Sequence, residues 1–286
     1  MEASYVKILV LAILQGACEL LPVSSSVHVI IAEKLMGLDP SSPEMTLLLV
    51  MLHTGTMFAV IIYFWESWKQ CFFASRTNLT RYMKLILIAT FITGIMGLSL
   101  KFVIEKVALR QIPNAEVELL FGNLALIAAA LAAVGILIIY AGKKSEQERD
   151  EIGLKESSII GLVQGLCLPF RGFSRSGATI STGLLLGINR IRCEEFSFAL
   201  AVVLTPPVVM REVLRMAKVH PLPAGGAMGF AHILVPSLFG MAASFVAGML
   251  ALKWLSRWLE NGRWSFFGYY CLAISLFALV LRQAGV

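Results

Sequence analysis

The sequence is short of charge. Asp, Glu, Lys and Arg make up 15% of its 286 residues, against about 25% in soluble globular proteins, and the deficit runs the whole length. A soluble domain is therefore excluded. So is the reading of the +6 net charge as a nucleic-acid footprint, because the basic residues stand mostly in short connections between apolar runs, where they orient spans and meet anionic headgroups. Cysteine is scarce as well. Cys18, Cys71, Cys167, Cys193 and Cys271 have no metal-ligand spacing, so all five read as small buried packing residues. No small-residue cleavage site precedes the first polar motif, so the N-terminal apolar stretch is expected to remain in the mature chain.

Apolar sequence is what the chain has in abundance: 58% of its residues are hydrophobic. Six runs are long enough to cross a bilayer as helices of about 20 residues: 45–65, 83–103, 119–141, 196–213, 229–252 and 264–282. Two more apolar segments, 5–36 and 157–189, are broken by Pro22 and by Pro169 with Gly172. Neither half of such a segment can span alone, and irregular backbone at membrane depth is tolerated only inside protein or along a cavity. Both segments are expected to be re-entrant helical hairpins.

The fold class expected is an all-α polytopic membrane protein with six transmembrane helices plus two re-entrant hairpins. Residues 1–142 and 157–286 each hold one hairpin and three spans, joined by a charged linker at 143–156. An odd number of crossings per half turns the second half over, an inverted-topology repeat that places broken helices near the midplane. The repeat is visible as Gln-Gly-x-Cys at 15–18 and 164–167, with serine clusters following at 24–26 and 174–176. Lys and Arg favour the loops near 66–82, 142–157, 190–195 and 253–263, which the positive-inside rule assigns to the cytoplasm. The first hairpin then opens to the outside.

The chemistry sits in the two broken segments. Gln15 and Glu19 are four apart and share one helix face. Glu19, just before the Leu20-Leu21-Pro22 break, is an ionisable group in apolar surroundings and so a functional candidate. Ser24, Ser25 and Ser26 follow the proline, where Ser24 is the natural cap of the next helix and the helix N-terminus is an anion site. His28 lies one turn past Ser25 and titrates near working pH. His53, by contrast, has no such company in sequence and reads as structural. In the second segment Ser174, Arg175 and Ser176 stand at a helix start, with Thr179 one turn below. Guanidinium is a planar donor fork that fits phosphate oxygens. An acid, a base, hydroxyls and an arginine in apolar surroundings suggest a site for a phosphate carried on a lipid.

At these residues the chain resembles the undecaprenyl-diphosphate phosphatases of the bacitracin-resistance type. The resemblance rests on Gln15 and Glu19, on Leu-Pro-Val-Ser-Ser-x-x-His from Leu21 to His28, and on Gly172-Phe173-Ser174-Arg175-Ser176 with Thr179. It implies integral membrane enzymes of the bacterial plasma (inner) membrane, with an inverted repeat and a site opening to the outer side, that hydrolyse the C55 polyprenyl diphosphate. It also implies a divalent cation, Mg²⁺ or Ca²⁺. Glu19, with Gln15, would be the acidic pair and the metal ligand, Ser25 and His28 the catalytic hydroxyl and imidazole, and Arg175 the phosphate clamp. Gln15, Ser24, Ser26, Ser174, Ser176 and Thr179 would bind substrate, and Glu19 alone would hold the metal. Here Gln15 supplies no charge, and Arg171-Gly172 stands where many members have Pro-Gly.

The partners expected are the polyprenyl diphosphate lipid and the bilayer, with no nucleic acid; a homodimer is left open. The competing reading is a polyprenyl-phosphate flippase, which needs similar phosphate ligands. A third, an ion or proton channel using Glu19 and His28, has no use for a buried arginine.

Overall fold

A computed structural model describes residues 4–39, 42–110, 120, 123–144, 149–219 and 226–283. The chain is all-α, with ten α-helices and no strand among the described residues. They are α1 (Tyr5–Leu20), α2 (Ser25–Leu35), α3 (Pro43–Cys71), α4 (Arg76–Val103), α5 (Leu124–Lys144), α6 (Leu154–Cys167), α7 (Arg175–Leu185), α8 (Arg190–Val219), α9 (Gly226–Glu260) and α10 (Ser265–Gln283). A π-helical turn, Ile104–Ala108, extends α4.

Six of these, α3, α4, α5, α8, α9 and α10, are long and apolar enough to cross a membrane, and they fall on the six expected runs. Most are longer than the runs, because flanking polar residues continue the helix: α9 reaches Glu260 and α8 begins at Arg190. α8 and α9 also continue through Pro206, Pro207 and Pro236, as spanning helices do when neighbours satisfy the freed backbone groups. Of the expected 119–141 span, α5 begins only at Leu124, and residues 119, 121 and 122 lie outside the described residues. So do residues 145–148 of the linker.

The two broken segments are helix–break–helix pairs, each tied at its open end. In the first, Lys7 Nζ near the start of α1 donates to the Met36 carbonyl just past α2, at 2.8 Å. In the second, the Arg149 N–H donates to the Gly187 carbonyl at 2.9 Å, and the Asn189 N–H returns a bond to the Arg149 carbonyl at 2.8 Å. That joins the chain before α6 to the chain after α7. The breaks have local causes. Leu21 precedes proline and is extended, φ −71° and ψ 150°, as the following pyrrolidine ring demands. Gly172 has φ 100°, and a Cβ there would lie 2.7 Å from the Ile127 carbonyl oxygen, so no other residue fits that turn.

The residues fall into two compact units, each drawing on both halves of the sequence. The first comprises Met1–Leu21, Ser25–Trp65 and Ala201–Leu255. Its core joins Ile8, Leu11 and Ala12 of α1 to Val29 and Ala32 of α2 and Leu48 and Leu52 of α3. Small residues let backbones touch, as lipid-embedded helices require. A Cβ on Gly16 would meet the Ser244 carbonyl oxygen at 2.6 Å and Ala247 Cβ at 2.7 Å. Ser244 Oγ in turn donates to the Leu52 carbonyl at 2.9 Å, so one serine of α9 fixes both α1 and α3. An open apolar groove of about 790 Å³ runs between Leu9, Ile13 and Ala17 of α1 and Val246 and Leu250 of α9. At about 100° per residue, that stripe of α1 lies on the side away from Glu19.

The second unit holds Pro22–Ser24, Glu66–Leu200 and Ser256–Val286. α6 lies on α4 through Gly161, whose Cβ would meet the Ala89 carbonyl oxygen at 2.5 Å. Thr93 Oγ1, on α4, donates to the Gly161 carbonyl at 2.8 Å. At the start of α8 the fully buried Glu195 takes hydrogen bonds from Ser67 and from Arg192, the latter at 2.6 Å, so this acid is internally paired.

Overpacking the α1–α9 crossing should cost about 1–3 kcal/mol. Gly16→Val is therefore expected to lower the unfolding temperature in detergent, while Gly94→Val, with open space around it, leaves it far less changed. Equal effects would contradict the close crossing.

Candidate active site

In the first unit the break after α1 brings three polar side chains to one carboxylate oxygen, that of Glu19. Gln15, 2% exposed, donates from Nε2 to Glu19 Oε2 at 3.2 Å, as the four-residue spacing predicts. Ser25, the first residue of α2, donates its hydroxyl to the same oxygen at 2.6 Å. His53 of α3 faces that oxygen with Nε2 at 3.9 Å. Its Nδ1 lies 2.8 Å from the Leu49 carbonyl. Two donors converging on one oxygen would stabilise an ionised carboxylate. A serine at 2.6 Å from a carboxylate is also the pairing of a nucleophile with its base. Glu19 and His53 retain 21% and 43% side-chain exposure, so the cluster is accessible.

The environment of His53 corrects the sequence reading. A histidine alone in an apolar run was expected to be structural, yet α3 turns its ring to Glu19. The signal lay in its neighbours: Thr54, Gly55 and Thr56 interrupt the apolar run with it. Ser26 and His28 are half-buried on α2. Ser24, just before α2, has φ 65° and is the one non-glycine residue with positive φ among those described. A capping serine is normally extended, so Ser24 departs from the expected cap. Such a conformation costs of order 1–3 kcal/mol and is held at functional sites by its surroundings.

The second unit holds the arginine motif. Ser174 caps α7 by accepting the Gly177 N–H at 3.2 Å. Arg175, the first residue of α7, is half-buried, and Ser174 and Ser176 are buried with their hydroxyls 3.4 Å apart. Within this unit Pro22 packs on the same turn, 3.2 Å from where a Cβ of Gly177 would stand. Cys271 Sγ donates to the Pro22 carbonyl at 3.2 Å. Thr179 Oγ1 donates to the Arg175 carbonyl at 2.9 Å and lies 2.6 Å from Ser197 Oγ. Thr179 braces the Arg175 turn through the bond to that carbonyl.

The model of the family described as Bacitracin resistance protein BacA matches residues 8–277. The chain belongs to the BacA family. Among similar proteins is one named Undecaprenyl-diphosphatase 2 from Acinetobacter baylyi, 56% identical over 275 residues, which cover 96% of each chain. Undecaprenyl-diphosphatase 1 of Burkholderia pseudomallei is 33% identical over 285 residues, 94% of each chain. Undecaprenyl-diphosphatase of Rhodopirellula baltica is 32% identical over 279 residues, 97% of this chain and 98% of the relative.

The BacA resemblance implies a divalent cation. No group of three or more His, Cys, Asp or Glu that could hold a metal occurs among the described residues. Mg²⁺, however, is commonly bound by one or two carboxylates with substrate phosphates completing its shell. Glu19 suits that role, provided a diphosphate supplies the remaining oxygens.

Glycine adopts positive φ freely, so Ser24→Gly should raise stability by about 1 kcal/mol whereas Ser24→Ala should not. Thermal unfolding of both variants in detergent checks this, and a less stable Ser24→Gly would show that the serine side chain holds the turn.

Proposed function

We propose that this protein is an integral membrane hydrolase that converts undecaprenyl (C55) diphosphate to undecaprenyl phosphate and inorganic phosphate. The reaction recycles the lipid carrier of cell-wall synthesis and confers bacitracin resistance. Membership of the BacA family and the names of its relatives support the reaction. The observation that carries the mechanism is the 2.6 Å bond from Ser25 Oγ to Glu19.

In this reading Arg175 grips the diphosphate through its fork, and the N-terminus of α7 adds backbone dipoles. Ser174 and Ser176 donate from the same turn. Preorganised charge of this kind supplies most of the rate in phosphoryl transfer. Ser25 Oγ attacks the terminal phosphorus while its proton passes to Glu19. The bridging P–O bond breaks, and the prenyl phosphate departs with the electron pair. Ser24, Ser26 and His28, in the same motif, contact the transferred phosphoryl group, and Gln15 keeps the carboxylate aimed. A cation held by Glu19 and the diphosphate would neutralise phosphate charge. Thr179 acts behind Arg175.

The proposal extends to placement. The two helix pairs are re-entrant hairpins of an inverted repeat, 1–142 and 157–286, in the bacterial plasma membrane. The site opens to the outer face, as the distribution of Lys and Arg suggests.

Phosphate release from C55 diphosphate by the detergent-purified protein tests the reading. Ser25→Ala, Glu19→Gln and Arg175→Ala should each lower the rate by about a hundredfold or more. Arg175→Lys should recover only part, since an ammonium lacks the planar fork. An Arg175→Ala enzyme working at the normal rate would exclude the phosphate clamp.

A further inference from the structure

The environment of His53 holds more than a neighbour for Glu19. The Leu49 carbonyl can only accept, so Nδ1, 2.8 Å away, must carry the ring hydrogen. In the neutral imidazole Nε2 is then a bare acceptor. It faces Glu19 Oε2, also an acceptor, across 3.9 Å. Two acceptors cannot bond each other, and this spacing is too long for a shared hydrogen. It does suit one water that donates to both: with donor distances of about 2.8 Å, the water would subtend an angle of roughly 90° between them.

The pair is also held in place. Ser244 Oγ donates to the Leu52 carbonyl at 2.9 Å, and Gly55 packs against the Met241 carbonyl, so the turn carrying His53 is fixed on α9. Gly16 of α1 lies against the carbonyl of the same Ser244. The distance between Glu19 and His53 is thereby set by one buried serine rather than by a loop, which is the preorganisation a catalytic pair needs.

A second base answers a need of the mechanism. Once Glu19 has taken the Ser25 proton, a seryl phosphate remains and must be hydrolysed, and a protonated Glu19 can no longer deprotonate water. We infer that His53 is a further catalytic residue, the general base for hydrolysis of the phosphoseryl intermediate; the inference rests on the phosphatase reading above. The water oxygen bonds to phosphorus while its proton passes to Nε2. The P–Oγ bond breaks, its electron pair stays on Ser25, and Glu19 returns the proton to Oγ. Inorganic phosphate leaves, and His53 gives its proton to solvent.

Rapid acid quench with prenyl diphosphate labelled in the terminal phosphate tests this. General-base loss costs about a hundredfold or more, so His53→Ala should release phosphate about that much more slowly. It should still form prenyl phosphate in a burst approaching one per enzyme, with label retained on the protein, and Ser25→Ala in the same background should abolish that label. Added imidazole should raise turnover in His53→Ala. His53→Gln, which fills the site but takes no proton, should stay slow at an unchanged unfolding temperature. His53→Ala turning over normally, or slowing without burst or label, overturns the inference. If Glu19→Gln is inactive while His53→Ala is normal, only His53 loses its role. If the wild-type protein releases no phosphate, the phosphatase reading fails and the inference falls with it.

Discussion

The hydrogen bonds that converge on Glu19, in an apolar segment, are the constraint on which the rest depends. A charged side chain at membrane depth costs roughly 2.5–3.5 kcal/mol even on insertion scales, and Glu19 has partners that would meet such a cost locally. Hydrogen bonds to a charged group contribute about 1.5–3 kcal/mol each, so Gln15 and Ser25, converging on Oε2, are enough to offset it. Ser25 can reach only because α1 ends at Leu20 and α2 begins at Ser25. Pro22 forces that break, and the strained Ser24 closes it. The groups that stabilise the charge are also those that can react with it.

The sequence announces the two halves of this chemistry at equivalent places, yet the halves differ. Gln15 and Gln164 open the same Gln-Gly-x-Cys pattern, but Gln15 donates to Glu19 whereas Gln164 donates to Thr93 on α4, at 3.1 Å, as buried packing. Glu19 and Ser25 belong to the first motif and Arg175 to the second. Fold alone does not separate a hydrolase from a lipid-phosphate carrier. BacA family membership and a serine already bonded to a carboxylate favour the enzyme.

Much of this was legible in the sequence because the bilayer imposes strong rules. Long apolar runs gave six helices, and Pro22 and Gly172 gave the breaks, since both act on the backbone without tertiary help. Gln15, Glu19 and Ser25 were legible because they are close in sequence across one break. The nearness of His53 to Glu19 was not, because it comes from the packing of α3 on α9 through Ser244, a contact 192 residues apart. The Thr179 contact with Ser197 of α8, 2.6 Å between hydroxyls, was hidden for a similar reason. Helix ends were missed where polar residues such as Arg190 extend a helix beyond its apolar run.

The most direct measurement is the ionisation state of Glu19 in the resting protein. An infrared difference spectrum of wild type against Glu19→Gln, in detergent at neutral pH, reads it. A lost carboxylate stretch, with no lost protonated-acid carbonyl band, is the predicted result, because Ser25 and Gln15 both donate to that oxygen. A lost protonated-acid band would contradict the account, for a neutral Glu19 could not take the proton from Ser25.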